Sequence, residues 1–190
     1  IEQETLNGEA RSYGLEFMLK KNRGKFTGWV AYTLSRAEQR TPGRTPDEPG
    51  INNGEWYLAN YDRTHDLTVL GNYKLNDKWD FNFNFTLQSG QTANFPVGQF
   101  NFQGLTVPIF EGRNRDRLPT FHRLDISATL TPKKQPKIWK GSWSFGIYNV
   151  YNRRNAASIN FEENRNTGQN EAIRFSIFGI VPSVSYNIEF

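Results

Sequence analysis

The 190 residues carry 23 Lys and Arg against 19 Asp and Glu, a net charge of +4 that gives no ground for a nucleic-acid partner without a basic helix or stacking motif. Mean hydropathy is −0.71, and no run approaches the ~18 apolar residues of a spanning helix, which excludes a helical membrane protein. The absence of Cys removes disulfides, thiolate metal sites and Cys nucleophiles together.

The chain reads as long strands with few helices. From about Glu9 to Lys20, Tyr13, Leu15, Phe17 and Leu19 share a face opposite Ser12, Gly14, Glu16 and Lys20. Asn22, Arg23 and Gly24 supply a tight turn into a second strand, about Lys25 to Ser35. A polar stretch from Arg36 to about Asn60 contains Pro42, Pro46 and Pro49 and reads as a loop. A third strand, about Tyr61 to Leu75, turns at Asn76, Asp77 and Lys78 into the clearest one. There Trp79, Phe81, Phe83, Phe85 and Leu87 alternate with Asp80, Asn82, Asn84, Thr86 and Gln88.

A second long loop is expected from about Ser89 to Leu118, then a strand from about Pro119 to Thr131. The next strand starts at Ser142 and loses phase at Tyr148 Asn149 Val150 Tyr151, where a bulge is the expected cause, with continuation as far as Phe161. After a turn at Asn164 to Asn170 the last strand runs to Phe190, with a break or bulge at Pro182. Val184, Tyr186, Ile188 and Phe190 alternate there with Ser185, Asn187 and Glu189.

Tight turns thus alternate with loops of more than twenty residues, the asymmetry of a transmembrane barrel whose short turns face the periplasm. A strand that alternates lipid-facing and lumen-facing residues also averages to a polar composition, so the hydropathy is no objection. The expected fold is all-β, an antiparallel transmembrane β-barrel segment of about seven long strands. An odd strand number, with the first strand starting on the long-loop side, leads to the expectation that residues 1–190 are the C-terminal part of a larger barrel. Two alternatives stay open: a complete small outer-membrane barrel acting as adhesin or enzyme, and a soluble lipocalin-like binder.

The stretches GEARSYGLEFML (from Gly8), GWVAYTLSR (from Gly28), NYDRTHDLTVLGNYKL (from Asn60), LPTFHRLDISAT (from Leu118), YNVYNRR (from Tyr148) and FGIVPSVSYNIEF (from Phe178) resemble the C-terminal barrel of TonB-dependent outer-membrane receptors. The likeness is to the branch with a carboxypeptidase-like regulatory N-terminal domain, and it covers nearly the whole chain in order and spacing. It implies a barrel of about 22 strands around a plug and uptake of a nutrient or metal chelate. It further implies coupling to the TonB system through a region with no counterpart here, and a last strand, Tyr186, Ile188 and Phe190, recognised by the barrel-assembly machinery.

No enzymatic chemistry, cofactor or metal is expected. His65 and His122 share parity with their strands' apolar faces, and neither has a glycine-rich or calcium-loop motif beside it. Trp56, Tyr57, Phe95, Phe100, Phe102 and Phe110 are loop aromatics that could stack on a sugar, a catecholate or a peptide, or could pack the loops together. All nine lysines fall at the short-turn ends, whereas Arg23 is the only one of fourteen arginines there. Guanidinium grips phosphate with a bidentate fork. Arg11, Arg36, Arg63, Arg113, Arg115 and Arg117 are therefore candidate contacts at the outer rim for lipopolysaccharide phosphates, other membrane lipid or an anionic cargo; the alternative is that they are solvated loop charges.

Overall fold

Period-two alternation is realised as strands almost throughout. A computed structural model describes residues 5–103, 105–133, 138–164 and 170–189, without the side chains of Glu163 and Asn170. Phe190, Lys134 and Lys137 lie outside the described residues. Fourteen strands are described: β1 (Glu9–Lys21), β2 (Phe26–Arg40), β3 (Tyr57–Leu58), β4 (His65–Lys74), β5 (Trp79–Gln88), β6 (Thr92–Ala93), β7 (Gly98–Phe102), β8 (Leu105–Ile109), β9 (Asp116–Arg117), β10 (Phe121–Leu130), β11 (Lys140–Tyr148), β12 (Ala156–Glu163), β13 (Asn170–Ser176) and β14 (Val181–Glu189). Apart from a single 3-10 turn at Asn52–Gly54, no helix occurs among the described residues, and none is long and apolar enough to cross a membrane.

Seven long strands form one sheet in the order β1-β2-β4-β5-β10-β11-β14, with β3 added beside β2. Strands that follow one another along this path are neighbours, so the meander expected from the sequence is present as antiparallel sheet. No sheet among the described residues closes on itself. The turns at 22–25 and 75–78 are short, while the links 41–64, 89–120 and 149–180 are long.

The chain separates into two compact units. One takes the described parts of Ile1–Leu15, Leu34–His65 and Ser89–Pro119; the other takes Glu16–Thr33, Asp66–Gln88 and the described parts of Thr120–Phe190. In the second unit, register sorts side chains onto two faces across β4, β5, β10, β11 and β14. Tyr73, Phe81, Ala128, Phe145 and Val184 form one cross-strand row, and Phe83, Ile126, Ile147 and Pro182 belong to the next. The reverse face carries Asn72, Asn82, Ser127, Gly146 and Ser183 in the matching positions. Gly71, opposite Phe83, makes room for its partner's ring: a Cβ there would meet Phe83 Cε1 at 2.1 Å. The ring instead lies over the glycine and stacks on Phe26, with centroids 6.2 Å apart.

Three departures from the sequence reading have physical causes. The phase loss after Tyr148 is a turn, not a bulge: Asn149 takes φ +55° and is 1% exposed. Its Nδ2 donates to the Arg153 carbonyl at 2.9 Å, and its Oδ1 accepts the Arg153 N–H at 3.0 Å, which ends β11. The segment that follows pairs with itself, as the separate hairpin β12–β13, and does not prolong β11. The break expected at Pro182 falls just before it, where residues 177–180 separate β13 from β14; Pro182 itself pairs in register with Ile147 on a strand that has a neighbour on one side only among the described residues, where a missing N–H is tolerated. Finally, the stretch from Ser89 to Leu118 is not featureless; it contains the hairpin β7–β8 and the short pair β6–β9.

Candidate functional site

The long links of the first unit are tied together by polar groups. Asp62 is 1% exposed; its Oδ1 accepts the Ala37 N–H at 2.7 Å, and its Oδ2 pairs with Arg117. Arg117 Nη1 donates onward to the carbonyls of Gly90 at 3.0 Å and Asp62 at 3.3 Å, so one guanidinium bridges two links. Thr92 Oγ1 donates to the Ala59 carbonyl at 2.7 Å, and Asn114 Nδ2 to the Leu58 carbonyl at 2.7 Å. Asn52 binds both the N–H of Arg113, at 2.9 Å, and its carbonyl, at 3.5 Å.

A second node forms around Glu38, whose side chain is 8% exposed. Arg36 Nε donates to its Oε1 at 2.8 Å, Arg11 Nε to its Oε2 at 2.8 Å, and Tyr13 Oη to Oε2 at 3.5 Å. The Arg36 hydrogen bond, reinforced by Arg11 and opposed by loss of water, holds this carboxyl below its usual range. Arg11 also lies 4.1 Å above the Trp56 ring, a cation–π contact that fixes both side chains.

Of the candidate arginines, Arg11 and Arg36 therefore meet on one carboxylate, and Arg117 is committed to Asp62. Arg115 pairs with Glu111 at 3.1 Å with both side chains exposed, a weak contact. The Arg63 carbonyl accepts from Ser35 Oγ at 2.9 Å, and the Arg113 backbone is held by Asn52. Among the aromatics, Trp56 lies beneath Arg11 and Tyr57 is buried on β3, its Oη 3.2 Å from Thr41 Oγ1. The Phe95 N–H donates to Asp116 Oδ2 at 2.8 Å.

Phe100, Phe102 and Phe110 behave differently and stay exposed. Register pairs Phe100 with Val107, Phe102 with Leu105 and Gly98 with Ile109, which gives the β7–β8 hairpin one apolar face. Its other face carries Gln99, Asn101, Thr106 and Pro108, with Thr106 Oγ1 donating to Asn101 Oδ1 at 3.1 Å. An exposed Phe-rich hairpin can offer flat apolar surface, and nothing about it requires a reacting group.

In the second unit the polar face has a shallow hollow of about 280 Å³, lined by Asn82, Asn84, Asp125, Ser127, Tyr148 and Ser183 among others. Asn84 Oδ1 is buried there without a hydrogen-bond partner among the described residues, an acceptor open to water or to whatever covers this face. Asp125 is already engaged, taking Arg123 Nη2 at 2.9 Å and the Asn149 N–H at 2.9 Å. His122 lies on the apolar face, opposite Leu87, with its Nδ1 2.8 Å from Tyr151 Oη. Tyr186 and Ile188 lie on that face too, Tyr186 against Trp143 with ring centroids 4.7 Å apart. No cluster of three or more His, Asp or Glu able to hold a metal occurs among the described residues.

Sequence alone did not single out Glu38, Asp62, Asn114 and Asn149. For Asp62, Asn114 and Asn149 the one signal available was their type, since Asp and Asn in loops commonly hydrogen-bond to backbone; Glu38, on β2, carried no such signal. A scan against protein-family models, a search of curated proteins and a search of solved structures each found no match to the chain.

Proposed function

We propose that the chain is wall and outer loops of a bacterial outer-membrane transport barrel, of the kind the sequence resembles: a TonB-dependent receptor for a nutrient or metal chelate. The observation that carries this reading is the sorting of faces in the second unit, where Tyr73, Phe81, Ile126, Trp143, Phe145, Ile147, Val184, Tyr186 and Ile188 are all exposed on one apolar face. So large an uncovered apolar face is a liability in water and a requirement in hydrocarbon. The alternation of short turns with long links supports the same reading.

On this reading the remaining wall and the plug lie in other parts of the protein, energy coupling passes through the TonB system, and the strand with Tyr186 and Ile188 is offered to the barrel-assembly machinery. The lysines at the short turns then face the periplasm. Impermeant amine-reactive labelling of intact cells leaves Lys20, Lys25, Lys78, Lys133 and Lys140 unmodified and reaches them once the membrane is opened. Heavy labelling of Lys133 from outside reverses the topology, and recovery of the protein in the soluble fraction removes the membrane reading.

A further inference from the structure

On the apolar face of the second unit, register sets Ala128 of β10 between Phe81 of β5 and Phe145 of β11. A methyl flanked by two rings leaves an open notch of about 410 Å³, lined by Leu75, Trp79, Phe81, Ala128 and Phe145. Its walls are braced: Phe81 stacks on Trp79 with centroids 6.1 Å apart and Phe145 on Trp143 at 6.4 Å. The lining offers no charged side chain, so its occupant in this stretch must be hydrocarbon.

The Leu75 and Trp79 end of the notch meets the β4–β5 turn. Asn76 Oδ1 fixes that turn by accepting the N–H groups of Lys78 at 2.8 Å and Trp79 at 3.0 Å. The Lys78 carbonyl accepts the Thr131 N–H at 2.8 Å, and Lys133 Nζ lies 3.5 Å from Asp77 with both side chains exposed. The turn that closes the Leu75 and Trp79 end of the slot thus carries Lys78 and has Lys133 beside it, two cationic residues against the one carboxylate of Asp77.

We propose that this notch is a binding site for an anionic phospholipid, with one acyl chain lying over Ala128 between Phe81 and Phe145 and the phosphate met by Lys78 and Lys133. The inference rests on the membrane-wall reading and adds a site and a headgroup preference to it. Ordinary lipid contact needs neither a slot nor a cationic mouth. A bound chain restores the contacts that Ala128 leaves unmade, and each lysine favours an anionic headgroup by about fivefold near a membrane surface.

The test is quenching of Trp79 by bromine-labelled acyl chains in the full-length protein, reconstituted into zwitterionic bilayers. Brominated phosphatidylglycerol and brominated phosphatidylcholine are each titrated upward from low mole fraction, and the Trp79 signal is taken as the difference from a Trp79→Phe variant. The anionic lipid is expected to reach half-quenching at a mole fraction at least about fivefold lower. Ala128→Leu, which fills the notch, and the double variant Lys78→Gln/Lys133→Gln, which changes only the turn and its neighbour, each bring that ratio close to one. If Ala128→Leu fails to assemble, the lysine variant decides. Equal quenching by the two lipids in the unaltered protein, or a preference that survives in both variants, overturns the site while leaving the wall reading in place. Quenching by neither lipid overturns the wall reading itself, and the site with it.

Discussion

Replacing either partner of the Asp62–Arg117 pair should have unequal consequences, because the two are buried unequally. Asp62 is 1% exposed at its side chain, while Arg117 is 31% exposed. Arg117→Met leaves a carboxylate with no water and no cation, the situation that costs about 3–5 kcal/mol. Asp62→Asn keeps an oxygen for the Ala37 N–H, and the freed guanidinium can turn to solvent while still serving the Gly90 carbonyl. Its cost is that of charge-assisted bonds reduced to neutral ones, about 1.5–3 kcal/mol. The double variant removes the stranded charge and should be less destabilised than Arg117→Met alone. Native-state hydrogen exchange at Ala59 and Leu118 reads these costs directly, since their N–H groups donate to the Ala37 and Gln91 carbonyls inside the same network. At about 1.4 kcal/mol per tenfold, Arg117→Met lowers protection by roughly a hundredfold or more, until global opening sets the limit. Equal loss from the two single variants, or a double variant as damaged as Arg117→Met, would refute the argument from unequal burial.

Two further outcomes follow from the polar nodes. Because the Glu38 carboxyl is held below its ordinary value of 4.5 by Arg36 and Arg11, its stabilising effect is complete above that value and is lost as pH falls through the lowered one. Trp56 fluorescence, which senses Arg11 above the ring, should therefore change on acidification below about pH 4.5, and Glu38→Gln should abolish that step. At the turn after β11, Asn149→Gly keeps the positive φ and loses the side-chain bonds to Arg153, costing about 1–2 kcal/mol, whereas Asn149→Ala adds about 1–2 kcal/mol for the left-handed backbone; identical melting temperatures for the two variants would show that φ +55° imposes no strain.

The long strands were legible because alternation is a local property, clearest in β5 and kept in most positions of β4, β10, β11 and β14. Trp79 to Gln88 needs no partner to declare its apolar side; its neighbours β4 and β10, and β11 and β14 beyond them, carry the pattern on at matching offsets. Short strands gave no such warning. Phe100 and Phe102 alternate with Gln99 and Asn101, but two cycles bounded by Gly98 and Gln103 fall below the length at which periodicity separates strand from loop. The turn at Asn149 was misread for a related reason: a parity change in sequence is the same whether the chain bulges and continues or turns away. What distinguishes them is a set of contacts distant in sequence, such as Asp125 with the Asn149 N–H. The pairing of Asp62 with Arg117, fifty-five positions apart, was likewise outside the reach of any local pattern.

On the proposed transport reading, the same contacts narrow how the loops of the first unit meet a cargo. Arg11, Arg36 and Arg117 each donate to a carboxylate that is almost fully covered, so an anionic ligand that draws them away strands Glu38 or Asp62. That cost falls on the ligand's binding energy and also loosens the links that those carboxylates hold together. Phe100, Phe102 and Leu105 impose no comparable cost: their apolar face is already exposed, and covering it gains free energy in proportion to the area removed from water. A ligand that lands on the β7–β8 hairpin therefore needs no rearrangement of the polar nodes. One that lands on Arg11, Arg36 or Arg117 shares them with Glu38 or Asp62.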